Sequence, residues 1–509
     1  MTKKLLFIFS FTFGISFLYV LYITPFGIGI SPDSTVYISG AKNLLSGNGF
    51  YNLKDPITHF PPVYSLLLAF VSLIEKDIVQ SARIINAALY SLNLLLLLTI
   101  IYISTKANYF YIVIAIFLYL FSGQLIELHS MAWSEPLFIS FMLIGIILLV
   151  SLVKKNSLNL LLGSAIFIGL GIITRYIGIA FIPASLIIVF FGFKNKSLRK
   201  RIGNSLLWLF VCLMPMLVFS LRNYLLSDTL TNRQFVFHPM DLKSFTYRLV
   251  INIFNFFLPV SLQSGGRPLI IGILALFYSL ILFLLIKQNK IHFGKQNNIN
   301  SMDIVVIISC VLFTVTYIGL LFVSISTFDA ATPVDWRLLS PIFILGLILF
   351  ILIARAVSIR LDNKIVFIAF LAILSLSLIT KLPDAIAKTI NIRNSGRGYT
   401  SNIWQNSDIL KYIRTLPSEI EIFTNGSDVI NFYYEKQTSS LPKKFNSNTS
   451  LQNANFEIEI GEMCNEVKEG KAIIVYFSNI NRKYLPTTSE VEKTCELLPV
   501  KKFTDGVIY

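Results

Sequence analysis

The stretch that decides the fold is residues 31–74, SPDSTVYISGAKNLLSGNGFYNLKDPITHFPPVYSLLLAFVSLI, between the first apolar segment and the second. It begins with an acidic residue, Asp33, and its pattern predicts a short amphipathic helix over residues 35–45. The apolar run after the prolines, residues 63–74, is about a dozen residues long, where a membrane span needs ~20. We therefore expect this run to lie along the membrane or dip into it. The acid-bearing loop before it is the first place to look for chemistry.

Composition places the chain among polytopic membrane proteins. Of its 509 residues, 55% are hydrophobic and 14% are charged, and the apolar residues come in long blocks. A net charge of +16 would suggest nucleic acid as a partner of a soluble protein, but here many basic residues lie in short loops between apolar runs. That distribution favours membrane topology and anionic lipid as the cause of the charge, so no nucleic-acid partner is expected.

The apolar runs predict about eleven membrane-spanning helices. The first follows Lys3 and Lys4 as in a signal peptide, but it is long and no small-residue cleavage site follows, so it is kept as a span. The predicted spans are 5–23, 84–103, 109–121, 136–153, 158–173, 177–193, 205–220, 269–286, 304–323, 338–353 and 365–380.

Basic residues in alternate loops predict the orientation. If every span is counted once, six basic groups fall on one side: Lys3/Lys4, Lys106, Lys154/Lys155, residues 194–201, Lys287/Lys290/Lys295 and Arg355/Arg360/Lys364. The N-terminus is then cytoplasmic and the C-terminus lies outside. We expect a bacterial inner (plasma) membrane protein with a transmembrane catalytic domain over residues 1–380, a first outer loop over 31–82, and a periplasmic or extracellular domain over 381–509.

The tail after residue 380 is polar and contains no run long enough to span a membrane. It predicts a helix over residues 401–416, strands over 421–424, 429–434 and 472–477, and a long loop over 436–455. We expect a small α/β domain. Cys464 and Cys495 are the only cysteines in it, and they are either bridged or two unrelated buried thiols. The chain has no CxxC or Cys/His cluster, so a structural zinc site is not expected.

Two acids are candidates for catalysis. Asp33 precedes a predicted helix and could be its N-cap, although Ser31 or Ser34 would cap as well. A carboxylate at the outer lip of a lipid-facing cavity suits general-base work on a hydroxyl group. Glu135 begins a later helix, where the helix dipole alone is a sufficient reason for an acid. Its neighbour His129 and its closeness to a membrane face keep a functional role open.

Three arginines on the predicted outer face are candidates for binding a donor phosphate: Arg175, Arg222 and Arg337. Arg175 lies in a tight turn between two apolar segments, where topology alone would discourage a cation. Each arginine could instead be an interfacial anchor. A guanidinium group binds phosphate through two parallel hydrogen bonds, so several of them converging on one face would form a phosphate clamp. Further candidates for the substrate cavity are Tyr37, His59, His129 and Tyr176.

Several short motifs carry a resemblance to a known superfamily. They are the acid just after the first span, PPVYSL at 61–66, WSEPL at 133–137, GLGIITR at 169–175, RN at 222–223, and the polar tail. In this order they resemble the GT-C superfamily of membrane glycosyltransferases. The most similar branch is that of the bacterial relatives of protein O-mannosyltransferases and the lipid A aminoarabinose transferase. The resemblance covers essentially the whole chain.

The resemblance implies inverting transfer of a hexose or pentose from a polyprenyl-phosphate sugar to a lipid, glycan or protein acceptor on the outer face. Asp33 matches the first-loop acid that deprotonates or orients the acceptor hydroxyl, and Glu135 falls where a second acid is often found. Ser34 stands where a second first-loop acid is common, so no metal site is assigned there, and a divalent metal ion stays open. Arginines could stabilise the phosphate leaving group.

Two other functions remain open from the sequence. A lipid-linked sugar flippase or other transporter would place ionisable residues along a path near the bilayer midplane. Here the acids and arginines fall at the outer ends of the spans, which favours a surface reaction. A polymerase or ligase of surface polysaccharide is chemically close to the transferase, but the chain has no dominant outer loop late in its membrane region.

Overall fold

The structure is a computed structural model that describes residues 3–105, 108–193, 196–238, 240–257, 301–361, 364–417 and 420–509. The predicted span 269–286 lies outside these residues, as do Lys106 and the basic residues Lys287, Lys290 and Lys295. All element numbers below refer to the described part of the chain.

Helices, several of them long and apolar, form the described part of the chain up to Ser395. They run α1 Lys3–Ile23, α2 Pro32–Leu45, α3 Val63–Ser72, α4 Ile78–Thr105, α5 Tyr109–Leu120, α6 Gly123–His129, α7 Glu135–Lys155, α8 Leu158–Ile172, α9 Phe181–Gly192, α10 Leu198–Ser227, α11 Leu242–Phe257, α12 Ser301–Thr327, α13 Ser340–Leu361 and α14 Lys364–Ser395. A 3₁₀ helix, Tyr176–Ala180, precedes α9, and a two-stranded hairpin, β1 Tyr51–Asn52 and β2 Asp55–Pro56, follows α2.

Helix length separates clear membrane spans from shorter apolar helices. Within the described residues, α1, α4, α7, α10 and α12 are long and apolar enough to cross a membrane, and α5 with α6 would add a sixth span bent by 64°. Shorter apolar helices are α3, α8, the segment Tyr176–Gly192 and Ser340–Ala356 of α13. The count of about eleven spans therefore stays a prediction.

The first loop is fixed at both of its ends. Ser31 is the N-cap of α2: its Oγ accepts from the Ser34 amide at 3.4 Å, and the Ser34 hydroxyl accepts from the Ser31 amide at 3.0 Å. Asp33 is thus not the cap, and its carboxylate is available for other contacts. At the far end of the loop, the Val63 amide at the start of α3 donates to the Ile173 carbonyl at 3.3 Å.

Residues just before α2 form a junction with two distant segments. Gly29 pairs with Met131, and Ile30 pairs with Gly398 beyond α14. The Tyr399 amide donates to the Ile30 carbonyl at 2.8 Å, and the Gly29 amide donates to the Ser130 carbonyl at 2.8 Å. The start of α2, the approach to α7 and the chain after α14 are therefore joined by backbone hydrogen bonds.

The C-terminal part folds around a five-stranded sheet of order β4-β3-β5-β7-β6, in which β3 is parallel to β4 and β5, and β7 is antiparallel to β5 and β6. Its strands are β3 Glu421–Thr424, β4 Ser439–Ser440, β5 Ala472–Phe477, β6 Lys501–Phe503 and β7 Gly506–Ile508. Its helices are α15 Asn402–Gln405, α16 Asp408–Ile413, α17 Ser427–Tyr434, α18 Phe456–Lys468 and α19 Thr488–Cys495.

Three local predictions in this part need correction. Residues 429–434 lie in helix α17, not in a strand: the adjacent Val429 and Ile430 are buried on one helix face, and packing overrides their β propensity. The predicted helix 401–416 is two short helices, α15 and α16. Helix α14 continues past residue 380 to Ser395, with Pro383 inside it.

Cys464 and Cys495 form a disulfide with Cα atoms 5.0 Å apart, which confirms the bridged alternative. The bond joins α18 to the end of α19 across the small core that also contains Ile474 of β5. Cys212 and Cys310 are buried free thiols in α10 and α12.

Candidate functional site

A cavity of about 470 Å³ opens beside the first loop. The sequence candidates that line it come from three segments: Asp33 and Tyr37 from α2, His59 from the loop, and Arg175 and Tyr176 from the turn after α8. The cavity is of the size of a small-molecule site, for which a mostly apolar wall with a few converging polar groups is usual.

An ion network lies at the polar side of this cavity. Arg337 Nη2 is 2.7 Å from Asp33 Oδ2, and Arg337 Nε is 2.5 Å from Glu135 Oε1. Arg175 Nη1 is 2.7 Å from the same Glu135 oxygen. Two carboxylates and two guanidinium groups therefore balance in charge. The side chain of Glu135 is 2% exposed, whereas that of Asp33 is 35% exposed, so Asp33 is the acid that can reach a ligand.

Local structure explains why each of these side chains is where it is. Asp33 lies in the first turn of α2 and Glu135 is the first residue of α7, positions where the positive end of the helix dipole stabilises a carboxylate. Arg175 is the extended residue before the 3₁₀ helix, and Arg337 lies just before α13. All four residues lie at or next to helix ends, and the packing of the helices brings these ends into contact.

Trp133 connects the two halves of the network. Its ring lies under the Arg337 guanidinium, with 4.0 Å from the guanidinium carbon to the ring centroid, a cation–π contact. Its indole Nε1–H donates to Ser31 Oγ at 2.8 Å, and Ser31 is the N-cap of the helix that carries Asp33. One side chain therefore fixes both the plane of Arg337 and the position of the α2 N-terminus.

Tyr37 and Ser134 form a second, uncharged layer. Their hydroxyl groups are 3.0 Å apart, and Arg175 Nη1 donates to Ser134 Oγ at 3.3 Å. Tyr37 is buried, and its ring packs edge-on against Phe60 at a centroid distance of 5.4 Å. Burial, followed by the nearby Asp33 carboxylate, raises the pKa of the Tyr37 hydroxyl above its ordinary value, so it remains protonated.

Sequence reasoning missed a further ion pair in the cavity wall. Arg233 contacts Asp329, and both line the cavity with His59. Burial, followed by the Arg233 guanidinium, lowers the pKa of His59, so its imidazole is neutral at pH 7. Arg233 and Asp329 lie in loops 96 residues apart, and no local motif marks either of them.

Two of the predicted residues lie away from the residues that line this cavity. Arg222 donates to the carbonyl oxygens of Ile57 and Phe50, at 2.7 Å each, and so holds the first loop to α10. His129 is fully buried between helices: its Nδ1 is 2.8 Å from the Leu125 carbonyl oxygen. His129, a candidate for the substrate cavity, therefore does not line this cavity, because α6 turns its ring into the helix core.

Apolar side chains form a large part of the remaining cavity wall, beside a few threonine and serine residues. This apolar part is contributed by the 3₁₀ helix, by α10 and by the last turns of α12, and includes Ile177, Ile179, Met216, Leu320, Leu321, Val323 and Ile325. A ligand that fits this cavity therefore has a charged or hydroxylated end near Asp33 and Arg175 and an apolar part against these helices.

A family model and two solved structures resemble this chain. Residues 59–222 match the family described as dolichyl-phosphate-mannose-protein mannosyltransferase. This segment includes Glu135 and Arg175, whereas Asp33 and Arg337 lie outside it. A comparison with curated proteins by sequence finds no match.

Both solved structures are of ArnT from Cupriavidus metallidurans. The structure bound to undecaprenyl phosphate has a TM-score of 0.58 at 12% sequence identity, and the match covers 100% of this chain and 98% of that chain. The apo structure has a TM-score of 0.54 at 11% identity, covering 99% of this chain and 97% of that chain. At this identity the likeness is one of fold, and it extends from end to end of both chains.

Proposed function

The chain has the fold of the GT-C membrane glycosyltransferases, as its motifs predicted, and we propose that it transfers a sugar from a polyprenyl-phosphate donor. The acceptor is a hydroxyl group of a lipid, glycan or protein at the outer face of the membrane. The transferred sugar is a hexose or a pentose.

The observation that carries this proposal is the division of one cavity into a charged and an apolar side. Asp33, Arg175 and the pair of Arg233 and Asp329 are the charged groups of the lining, whereas residues of the 3₁₀ helix, α10 and α12 form its apolar wall. A polyprenyl-phosphate sugar has the same division, because a long apolar chain ends in a phosphate and a sugar. The bound undecaprenyl phosphate in the ArnT structure of similar fold supports the same class of donor.

In the proposed reaction Asp33 is the general base. Its carboxylate takes the proton of the acceptor hydroxyl as that oxygen attacks the anomeric carbon from the face opposite the phosphate. The bond between the anomeric carbon and the phosphate oxygen breaks, its electron pair stays on the phosphate, and the configuration inverts. Arg175 and Arg337 stabilise the charge that grows on the leaving phosphate, and Glu135 holds both guanidinium groups in place.

The contact between Asp33 and Arg337 sets the order of these events. While Asp33 Oδ2 accepts the charge-assisted hydrogen bond from Arg337, that oxygen is not free to accept the proton of an acceptor hydroxyl group. A donor phosphate offers Arg337 a second anionic partner. Asp33 is thereby released from Arg337 when the donor is in place, which links base activity to donor binding.

A transfer assay tests this function. Purified full-length protein in detergent is given a panel of polyprenyl-phosphate sugars and fluorescent lipid, glycan and peptide acceptors. We expect one donor class to give a labelled product with release of an equal amount of polyprenyl phosphate. Transport of an intact donor across reconstituted vesicles, with no donor consumed in the assay, would instead identify a flippase.

A further inference from the structure

A second concave surface, which we call the α2 groove, lies on the other side of helix α2 from the catalytic cavity. It has a volume of about 480 Å³ and lies between α2, the hairpin β1–β2 and the end of α17. Thr35 and Ser39 line the groove, whereas Asp33 and Tyr37 of the same helix line the cavity. Helix α2 is therefore a shared wall. Thr35 follows Asp33 by two residues, about 3 Å along the helix axis.

The polar groups of the groove are mainly amides and hydroxyls. Asn43, Asn48, Asn431 and Gln437 all contribute to its wall, together with one aromatic ring, Phe432. An amide presents both a donor and an acceptor, which matches a sugar hydroxyl in either role. Lys42 Nζ lies 2.5 Å from Glu435 Oε1 at the edge of the groove, so the charges of these two side chains balance, and the ammonium group of Lys54 is a further donor in the lining.

Several of these groups have bonding capacity to spare. In the part of the chain that the structure describes, the side chains of Gln437, Lys54 and Ser46 make no hydrogen bond. Asn431 uses its amide nitrogen on Asn52 Oδ1 at 3.2 Å, which leaves its oxygen as an acceptor. A ligand with several hydroxyl groups would satisfy donors and acceptors on both walls.

The geometry of the hairpin argues against an extended peptide. A peptide commonly binds by adding a strand to an open sheet edge. Here the free edge of β1 is already occupied, because Asn43 Nδ2 donates to the carbonyls of Tyr51 at 2.9 Å and Leu53 at 3.4 Å. The Leu53 amide donates to Ser39 Oγ at 3.0 Å. Strand addition at this edge would have to break all three contacts.

From this groove we infer a saccharide-binding site for the glycan part of the acceptor. The inference rests on the proposed transferase function and names the acceptor class for the same reaction. A saccharide bound along the groove would pass its terminal sugar over the N-terminal end of α2 at Thr35. Its hydroxyl group then reaches the Asp33 side of the helix, where the proton is taken.

The test is a binding measurement that does not depend on transfer. Full-length protein in nanodiscs is applied to an array of immobilised neutral, amino-sugar and uronic-acid oligosaccharides, with immobilised peptides alongside. The double variant Gln437→Leu, Lys54→Leu removes two exposed groups that have no hydrogen-bond partner among the described residues, so we expect the fold to be kept. Gln452→Leu, an exposed amide in the same C-terminal part outside the groove, is the matched control.

We expect the wild type and Gln452→Leu to bind at least one oligosaccharide class, and the double variant to bind it at least about ten-fold more weakly through loss of two ligand hydrogen bonds. Binding of undecaprenyl phosphate should be equal in all three proteins. Binding to peptides only, or equal oligosaccharide binding by the double variant, would overturn the inference. If either of these results came with a positive transfer assay, the saccharide site in the α2 groove would be ruled out, and the proposed transferase function would stand.

Discussion

At the scale of single residues, the site is made by side chains far apart in sequence. Asp33 and Arg337 are separated by 304 positions, yet Oδ2 and Nη2 are 2.7 Å apart. Glu135 receives hydrogen bonds or ion pairs from two arginines on one oxygen. Removing either partner would leave a largely buried charge without compensation, which is why the four groups are expected to act as a unit.

Lysine in place of either arginine tests the phosphate clamp. Arg175→Lys and Arg337→Lys keep the charge but lose the planar fork that binds two oxygens at once. We expect the donor KM to rise or the turnover to fall by about ten-fold, equivalent to the loss of one charge-assisted hydrogen bond. Steady-state kinetics with varied donor concentration measure this. Arg414→Lys, an exposed change in the C-terminal part, is the control, and unchanged donor kinetics in both site variants would make these arginines interfacial anchors.

At the scale of elements, helix ends position the reactive side chains. The N-terminus of α2 can be tested most directly. Trp133→Phe keeps an aromatic face for Arg337 but removes the indole N–H that donates to Ser31. We expect a loss of about 1 kcal/mol in unfolding free energy from one hydrogen bond. Turnover should fall more than donor KM changes, because Asp33 is displaced while the phosphate clamp remains. Wild-type turnover in this variant would show that the bond has no positioning role.

The junction between Ile30 and Gly398 offers a sharper comparison. Gly398 has φ +56°, and a Cβ there would clash with the Ile30 carbonyl oxygen, whereas Gly470 has φ +72° and open space around it. Both Gly→Ala changes carry the strain of positive φ, but only Gly398→Ala also pushes the segment before α2. We expect the two unfolding temperatures to fall unequally, Gly398→Ala more, with activity lost only in that variant. Equal effects in the two variants would contradict the positioning role of the junction.

The sequence predicted most elements because their signals are local. Apolar length placed the helices, and the acid, the proline pair and the turn at Arg175 marked the site. The strand assigned to residues 429–434 failed because short apolar runs do not separate strand from helix. The sequence did not predict the pair of Arg233 and Asp329, because a contact between two distant loops leaves no pattern along the chain. Arg222 and Arg175 both lie at the end of an apolar run, so the sequence does not distinguish their roles. The structure does: Arg222 binds loop carbonyls, whereas Arg175 binds Glu135.

At the scale of the whole molecule, the C-terminal part tests the predicted orientation. The disulfide between Cys464 and Cys495 closes a loop with a sequence separation of 31 and contributes roughly 3–4 kcal/mol in the chain-entropy model. Such bonds persist in oxidising compartments, which agrees with a tail outside the cytoplasm.

Thiol labelling measures this directly. In denatured, unreduced protein isolated from membranes, we expect label on Cys212 and Cys310 only, and on all four cysteines after reduction. A reporter that is active only outside the cytoplasm, fused after Tyr509, should be active. Four labelled thiols without reductant would contradict the disulfide. An inactive reporter beside an active cytoplasmic one would reverse the predicted orientation.

The central claim is that Asp33 is the general base of a sugar transfer, and a single variant tests it. Asp33→Asn keeps the shape of the side chain and removes its basicity, and Arg337 keeps its contact with Glu135 in this variant, so we expect the fold to hold. In purified protein we expect transfer to fall by at least about a hundred-fold, within the range for removal of a general base. Undecaprenyl phosphate binding and the unfolding temperature should remain near wild type. Transfer at the wild-type rate by Asp33→Asn would contradict the account.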